Sequence, residues 1–293
     1  MDRGAVALHV ERLPDAAAFE DRAGAFLGRR EAENCLLLGL CASLRKGITY
    51  GPRSPYLAVA VEGRTVVGAA MRTPPLNLII ATGTEIRALP AIADDVQRSD
   101  AADLTGVLGP KELGHAFVDI WRPRSGVRAE LKTSELIYRL TTVSAPRFGP
   151  SAGWMRLAEP ADRELVVEWM LAFAQEALGE ADLAGAQAGA DRWITGRGLR
   201  LWIDGDQPVS MAGAGGPTPN GIRIGAVYTP KPLRKRGYAG TLVAMLSQAE
   251  LSAGRTFCFL FTDLANPTSN EIYQDIGYEP VCDVDEYRFT PAG

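Results

Sequence analysis

Arg234-Lys-Arg-Gly-Tyr-Ala-Gly240 packs three cations and two glycines into seven residues. It follows an apolar, strand-like run from Ile222 to Thr229 and opens a helical pattern carried by Leu242, Val243, Leu246 and Ala249. A basic glycine loop between strand and helix is suited to holding an anion. The first turn of a helix leaves N–H groups unpaired at the positive end of its dipole. Backbone N–H groups from Arg236 to Thr241 would form the cradle, and Gly237 would let it approach the anion closely. A solvated charged turn is the plainer alternative. Further on stands Asn266-Pro-Thr-Ser-Asn-Glu-Ile-Tyr273, then Gly277-Tyr278. Asn266-Pro267 reads as a helix cap followed by proline at the first helical position. Ile272, Tyr273 and Ile276 share an apolar face, so spacing alone leaves Tyr273 as either core or a working hydroxyl.

Together the two stretches resemble the signature of the GNAT N-acetyltransferase superfamily. That signature is a Q/R-x-x-G-x-G/A loop at a strand–helix junction, then an N-x-x-S-x-x-x-Y helix. Arg234, Gly237 and Ala239 fill the first pattern, and Asn266, Ser269 and Tyr273 fill the second. The likeness spans roughly residues 150–293. It implies acetyl-CoA, or CoA, as co-substrate and no metal. The loop residues Arg234, Lys235, Arg236, Gly237, Tyr238, Ala239, Gly240 and Thr241 would hold the pyrophosphate. The strand end Val227-Tyr228-Thr229 would bulge and pair with the pantetheine arm, with a backbone N–H at or near Val227 facing the thioester carbonyl. Asn266 and Ser269 would line the same arm. Tyr273 would be the general acid for the leaving thiolate, because a tyrosine ionising near 10 stays protonated where a thiol near 8.5 begins to lose its proton.

The base is less legible. An alkylamine must lose a proton before it attacks, and the only histidines, His9 and His115, lie in the first half. Among the carboxylates Glu176, Glu180 and Asp263, Asp263 ends its strand nearest the expected opening. A water chain with no dedicated base is the alternative.

The elements that must position these groups are ordinary for a globular chain. Of 293 residues, 46% are hydrophobic and 23% charged, with a net charge of −4. From Pro150 onward there are 12 Lys/Arg against 18 Asp/Glu, a net −6, so the basic loop is a local knot in an acidic half. That balance excludes a nucleic-acid footprint and favours a cationic acceptor. Cys35, Cys41, Cys258 and Cys282 form no C-x-x-C pair, which predicts free thiols in a reducing compartment. No metal cluster, signal peptide or membrane-length apolar run is apparent. A cytoplasmic protein is expected, with no membrane partner and with a homodimer left open.

The chain also repeats itself. Leu57 to Ala70 reads like Leu199 to Ala212, each with an acidic-Gly turn, Glu62-Gly63 and Asp204-Gly205, that predicts a hairpin. Tyr138-Arg-Leu-Thr141 matches Tyr287-Arg-Phe-Thr290, each expected as the last strand of its own half. The expected domains are residues 1–145, a breaker-rich linker at 146–152, and 153–293. The first copy shows no glycine loop in Glu85-Ile-Arg-Ala-Leu-Pro-Ala91 and no Asn/Ser/Tyr pattern in Leu113–Trp121, and so reads as degenerate. Asn34–Cys41 reads as a buried helix and Gly179–Ala190 as a low-complexity Ala/Gly stretch.

The expected class is α/β, an α+β mixed sheet: two tandem GNAT-like domains, each a mostly antiparallel sheet flanked by helices. The expected activity is acyl transfer from acetyl-CoA to a primary amine, on a small molecule or peptide, by direct attack in a ternary complex. A non-catalytic acyl-CoA sensor and an aminoacyl-transferase of the peptidoglycan-building kind are the alternatives. The acidic second half speaks against the latter, which needs a basic groove for tRNA.

Overall fold

The computed structural model describes residues 7–99, 103–145, 151–179 and 182–292. Of the expected linker only Ser151 and Ala152 fall within these, and Glu180 lies outside the described residues. The first half runs β1 (Leu8–Arg12), α1 (Ala16–Gly28), α2 (Cys35–Arg45), β2 (Tyr56–Glu62), β3 (Thr65–Arg72), β4 (Leu78–Ile80), α3 (Leu89–Gln97), β5 (Gly106–Pro110), α4 (Lys111–Ser125) and β6 (Val127–Leu140). The second half repeats that order: β7 (Trp154–Leu157), α5 (Arg163–Leu178), α6 (Leu183–Thr195), β8 (Leu199–Asp204), β9 (Gln207–Gly215), β10 (Gly221–Tyr228), α7 (Tyr238–Ser252), β11 (Phe257–Asp263), α8 (Pro267–Asp275) and β12 (Glu279–Pro291).

Both hairpins form at the acidic-Gly turns, β2 with β3 and β8 with β9. Gly63 and Gly205 stand first in their two-residue loops, at φ 62° and 59°, where an L side chain is disfavoured. The Asn34–Cys41 run lies at the start of α2, as expected. From Leu183 onward the Ala/Gly stretch is helical, as the start of α6. Its small residues are a packing device, since a Cβ on Gly189 would stand 2.6 Å from Met170 Cε on the neighbouring α5.

The described strands form one sheet in the order β1-β2-β3-β4-β5-β12-β6-β11-β10-β9-β8-β7. The two final strands have therefore changed places. β6 pairs with β11 of the second half, β12 pairs with β5 of the first, and the two pair with each other at the centre. Tyr138 and Leu140 consequently lie in the core beneath α7 and α8, while Phe289 lies in the core beneath α3 and α4. This corrects the expectation that each strand closes its own half. Sequence period says which face a strand buries. It carries no information on which edge the strand joins.

Alternation along the strands sorts the helices. Leu57, Val59 and Val61 pack with α1 and α2, whereas Ala58 and Ala60 pack with α3 and α4. Leu199, Leu201 and Ile203 pack with α5 and α6, and Trp202 with α7. On β11, Cys258 and Leu260 face α7 and α8, while Phe257 and Phe259 meet Ala32 and Cys35 between α1 and α2. One face of the sheet thus carries α1, α2, α5 and α6, and the other carries α3, α4, α7 and α8. Glu31 adds a polar tie between halves, accepting from Thr218 Oγ1 at 2.6 Å and from the Asn220 N–H at 2.7 Å.

The exchange has a testable result. Residues 153–293 produced alone lack β6, which leaves the β11 backbone edge and the Tyr138 site of the core uncovered. Unpaired buried backbone groups are costly. The fragment is expected to be insoluble or to self-associate, and co-expression with residues 1–145 to restore a soluble complex, measured by size-exclusion chromatography. A soluble, folded, monomeric fragment would contradict it.

Candidate functional site

The opening begins on β10. This strand pairs in parallel with β11 only at Gly221, Ile222 and Arg223, while β11 stays paired to β6 as far as Asp263. On its other side the β9 ladder skips a residue between Gly225 and Tyr228, and Ala226 sits at φ 50°. This is a β-bulge, which bends the strand away from its neighbour. Beyond Arg223, β10 and β11 part, leaving a V whose edges are Ile224–Tyr228 and Leu260–Asp263. Pro230 has no N–H and ends the strand. Val227 lies in the bulge with its side chain toward α7. Tyr228 packs on Trp169 at 6.2 Å between ring centroids, and Thr229 Oγ1 bonds Ser210 Oγ at 2.8 Å.

The loop follows. A short turn over Lys231–Leu233 leads to Arg234, then to Lys235 at φ 64° and Gly237 at φ 78°, and α7 starts at Tyr238. By helix geometry the N–H groups of Tyr238, Ala239 and Gly240 have no partner within α7; the first intrahelical bond runs from Thr241 N–H to Gly237 O, at 3.0 Å. Among the described residues the N–H groups of Lys235, Arg236 and Gly237 are likewise unpaired. The side chains of Lys235 and Arg236 are exposed and form no hydrogen bond or ion pair among the described residues.

Not every loop side chain is free for an anion. Arg234 donates from Nε to Thr229 O at 2.8 Å and from its terminal nitrogen to Glu176 at 2.7 Å, fastening the loop to α5. Tyr238 is buried and donates to Asp204 in the β8–β9 turn. Thr241 Oγ1 accepts from the Ser151 N–H at 2.9 Å, while Ser151 Oγ donates to Arg236 O at 2.7 Å. The side chains of Arg234, Tyr238 and Thr241 thus have structural partners within the protein. Ser151 braces the loop from far away in sequence, where no local signal points to it. A Cβ on Gly237 would lie 2.7 Å from Ser151 Oγ, so this glycine answers to the brace and to its left-handed φ as well as to any ligand. At Gly240 a Cβ would be accommodated, in ordinary contact with Ile272 Cγ2 at 3.5 Å.

On α8, Asn266 caps the helix as expected, its Oδ1 accepting from the Ser269 N–H at 3.1 Å. Asn270, passed over in the sequence, donates to Asn266 O at 2.9 Å and Asp263 O at 3.2 Å, tying α8 to the end of β11. Its Oδ1 is buried with no partner among the described residues. The Tyr273 ring is buried between Tyr138 and Tyr278, at centroid distances of 6.4 and 5.9 Å. Its hydroxyl has no hydrogen-bond partner among the described residues. Burial pushes its pKa up to about 12.

The carboxylates separate by role. Burial alone would raise the Glu176 carboxyl, but hydrogen bonds from Arg234 and Tyr228 outweigh it and hold it below its ordinary value. It is a structural anion. Asp263 is exposed and accepts the Ala265 N–H at 2.7 Å, so it shapes the turn into α8. Directly opposite it on β6 stands Glu135, half-buried, whose carboxyl is raised by burial and by the nearby Glu286 and Asp263.

The first half has the matching opening without the cradle. β4 and β5 pair in parallel only at Leu78 and Ile79, and a cavity of about 490 Å³ near Thr82, Gly83 and Lys111 follows. Where the loop would be, a tight turn over Ile86–Ala88 runs into α3, so the Ala88 N–H bonds Glu85 O at 2.8 Å and the Leu89 N–H bonds Ile86 O. Arg87 is held by Glu62 and Glu85. The Ala88 and Leu89 N–H groups at this junction therefore have backbone partners, unlike those at the start of α7.

Among the described residues there is no cluster of three or more metal-ligating side chains, and no helix is long and apolar enough to cross a membrane. The four cysteines are unpaired. No curated protein matches the sequence. Residues 207–289 match the model of the FR47-like protein family. Among solved structures, a Drosophila protein superposes with a TM-score of 0.69 at 13% identity, covering 99% of this chain and 100% of its own. A GCN5-related N-acetyltransferase from Sphaerobacter thermophilus gives 0.61 at 14%, covering 98% and 96%. A tandem GNAT protein from the clavulanic acid biosynthesis pathway gives 0.54 at 14%, covering 98% and 99%. At such identities the likeness is one of fold. The chain therefore has the fold of tandem GNAT proteins along its length, and its residues 207–289 are similar to the FR47-like family.

Proposed function

We propose that the chain is an acyl-CoA-dependent N-acyltransferase, with residues 153–293 as its catalytic unit and acetyl-CoA as donor. The observation that carries this is the pairing of two features in one place. The V between β10 and β11 leaves strand edges free beside the bulge at Val227, and it opens onto the start of α7, whose first N–H groups have no partner among the described residues. Lys235 and Arg236 add uncommitted charge there. These groups fit a pyrophosphate and an extended arm. Val227 and its neighbours offer backbone N–H groups where charge would develop on the carbonyl oxygen.

Tyr273 supports the leaving group, though not by giving its proton away. A thiol ionises near 8.5, well below the value of about 12 that burial gives Tyr273. Its hydroxyl keeps the proton and donates a hydrogen bond to charge gathering on sulfur. The four unpaired thiols support a reducing, cytoplasmic setting. The acceptor is a primary amine of a small molecule or peptide.

Isothermal calorimetry with CoA and acetyl-CoA is expected to give one site per chain, because the basic glycine loop occurs once in the sequence. A panel of glycine, L-lysine, spermidine and glucosamine, read by release of free CoA thiol, tests turnover. Two equivalent sites would refute the assignment to the second half, and absence of binding would refute the donor.

A further inference from the structure

We propose that Glu135, carried into the second half by the exchanged strand β6, is the general base that deprotonates the acceptor amine. This rests on the acyl-transfer reading above. Glu135 lies directly opposite Asp263 in the β6–β11 ladder, at the level where β11 has parted from β10. Directly opposed residues in an antiparallel pair project to the same face. That face is the one on which Phe259 and Phe261 lie, alternating with Leu260, which packs on the α7 and α8 side with Tyr273. The hydrogen-bond donor for the thiolate and the base for the amine therefore belong to opposite faces of the same opening. Such an arrangement lets the amine approach from one side while sulfur departs toward the other.

The comparison of halves gives an independent observation. At the spacing that aligns Tyr138 with Tyr287, Glu135 corresponds to Val284, and these two pair directly across β6 and β12. Val284 in turn lies opposite Pro110 at the end of β5. The half with the anion cradle is thus given a carboxylate at this position, and the half without it a valine. The charges around Glu135 are Asp263 on β11, Glu286 on β12, Lys132 on its own strand and Arg223 on β10. Glu33, before α2, lines the small cavity next to it with Ile137, Phe261 and Val284. Two of the facing strands present carboxylates, which with burial favours a carboxyl that accepts a proton readily.

In the step, the Glu135 carboxylate takes one proton from the ammonium. The freed lone pair attacks the thioester carbon, a C–N bond forms and the C–S bond breaks. The second nitrogen proton leaves as the amide forms and balances the thiolate as thiol. Glu135 then releases its proton to water, so one ammonium and one thioester give one amide, one thiol and one proton.

The test is Glu135→Gln, which keeps the side-chain shape. With the best acceptor of the panel, kcat/KM at pH 7 is expected to fall about tenfold, and the rise of rate with pH through the Glu135 ionisation to disappear. Hydroxylamine, whose nitrogen is already neutral, is expected to lose less than twofold, and CoA affinity to change less than twofold. A second readout needs no turnover. Because the folded-state carboxyl ionises above its unfolded value, the native protein holds more protons between the two. Wild type should therefore lose thermal stability relative to the Gln variant as pH rises across that interval, with the difference between them constant below it. A Gln variant that keeps the wild-type pH–rate profile overturns the base while leaving acyl transfer intact. A wild type that binds CoA yet acylates no amine overturns acyl transfer and the base with it. A stability difference independent of pH counts against Glu135 as well.

Discussion

Gly237→Glu is expected to raise the dissociation constant for CoA at least a hundredfold, about 2.8 kcal/mol. The new carboxylate would enter the cradle formed by the start of α7 and repel the pyrophosphate. The substitution also acts on the protein itself. Gly237 holds φ 78°, and any Cβ there meets Ser151 Oγ at 2.7 Å. A left-handed conformation costs a non-glycine residue about 1–2 kcal/mol. Gly237→Ala carries that strain without the charge, and so measures the backbone share of the loss. Charge reversal of exposed Lys235 and Arg236 to glutamate tests the electrostatic share with the glycine intact. Calorimetry and melting temperatures on the three proteins separate binding from stability. Gly237→Glu affinity within a factor of about three of wild type, under 1 kcal/mol, would place the pyrophosphate elsewhere.

Tyr273→Phe is the second large effect. A hydrogen bond to a charged group contributes about 1.5–3 kcal/mol, which corresponds to a loss of roughly 10–100-fold in kcat. The KM for acetyl-CoA should barely move, since the interaction is made as charge develops on sulfur and not before. The ring stays packed between Tyr138 and Tyr278, and its hydroxyl has no partner among the described residues, so removing the oxygen should leave stability close to wild type. Equal kcat at saturating substrates, with chemistry shown to limit the rate, would leave Tyr273 as core. A large drop in melting temperature would point the same way.

What could be read from the sequence was local. The strand, the seven-residue loop and the start of the helix are contiguous, and that junction forms where the pattern puts it. Asn266 caps α8 because cap, proline and helix are adjacent in the chain. The hairpins at Gly63 and Gly205 follow from two-residue turns. What escaped was remote. Arg234 looks like a phosphate ligand until Glu176, on a helix much earlier in the chain, takes its guanidinium. Ser151 holds the loop through two hydrogen bonds that no spacing rule anticipates. Glu135 belongs to the other half of the sequence and reaches the opening only because β6 is exchanged, which no local pattern signals. The Ala/Gly stretch was given no secondary structure because small residues give a weak period, yet they are what lets α6 lie close against α5.

The exchanged strands also set a schedule for making the protein. β6 leaves the ribosome early and must wait for β11 to be synthesised. The first half, with Leu108 pairing Glu286, cannot close its sheet until β12 is made. At about 5–20 residues per second, β6 and the free edge of β5 stand exposed for roughly 10–30 s in each round of translation. The nascent chain spends that time as an open sheet, the form in which strand edges recruit wrong partners. A slow stretch of translation between the halves would lengthen that interval, so dependence on chaperones is expected to rise with any delay placed after residue 140.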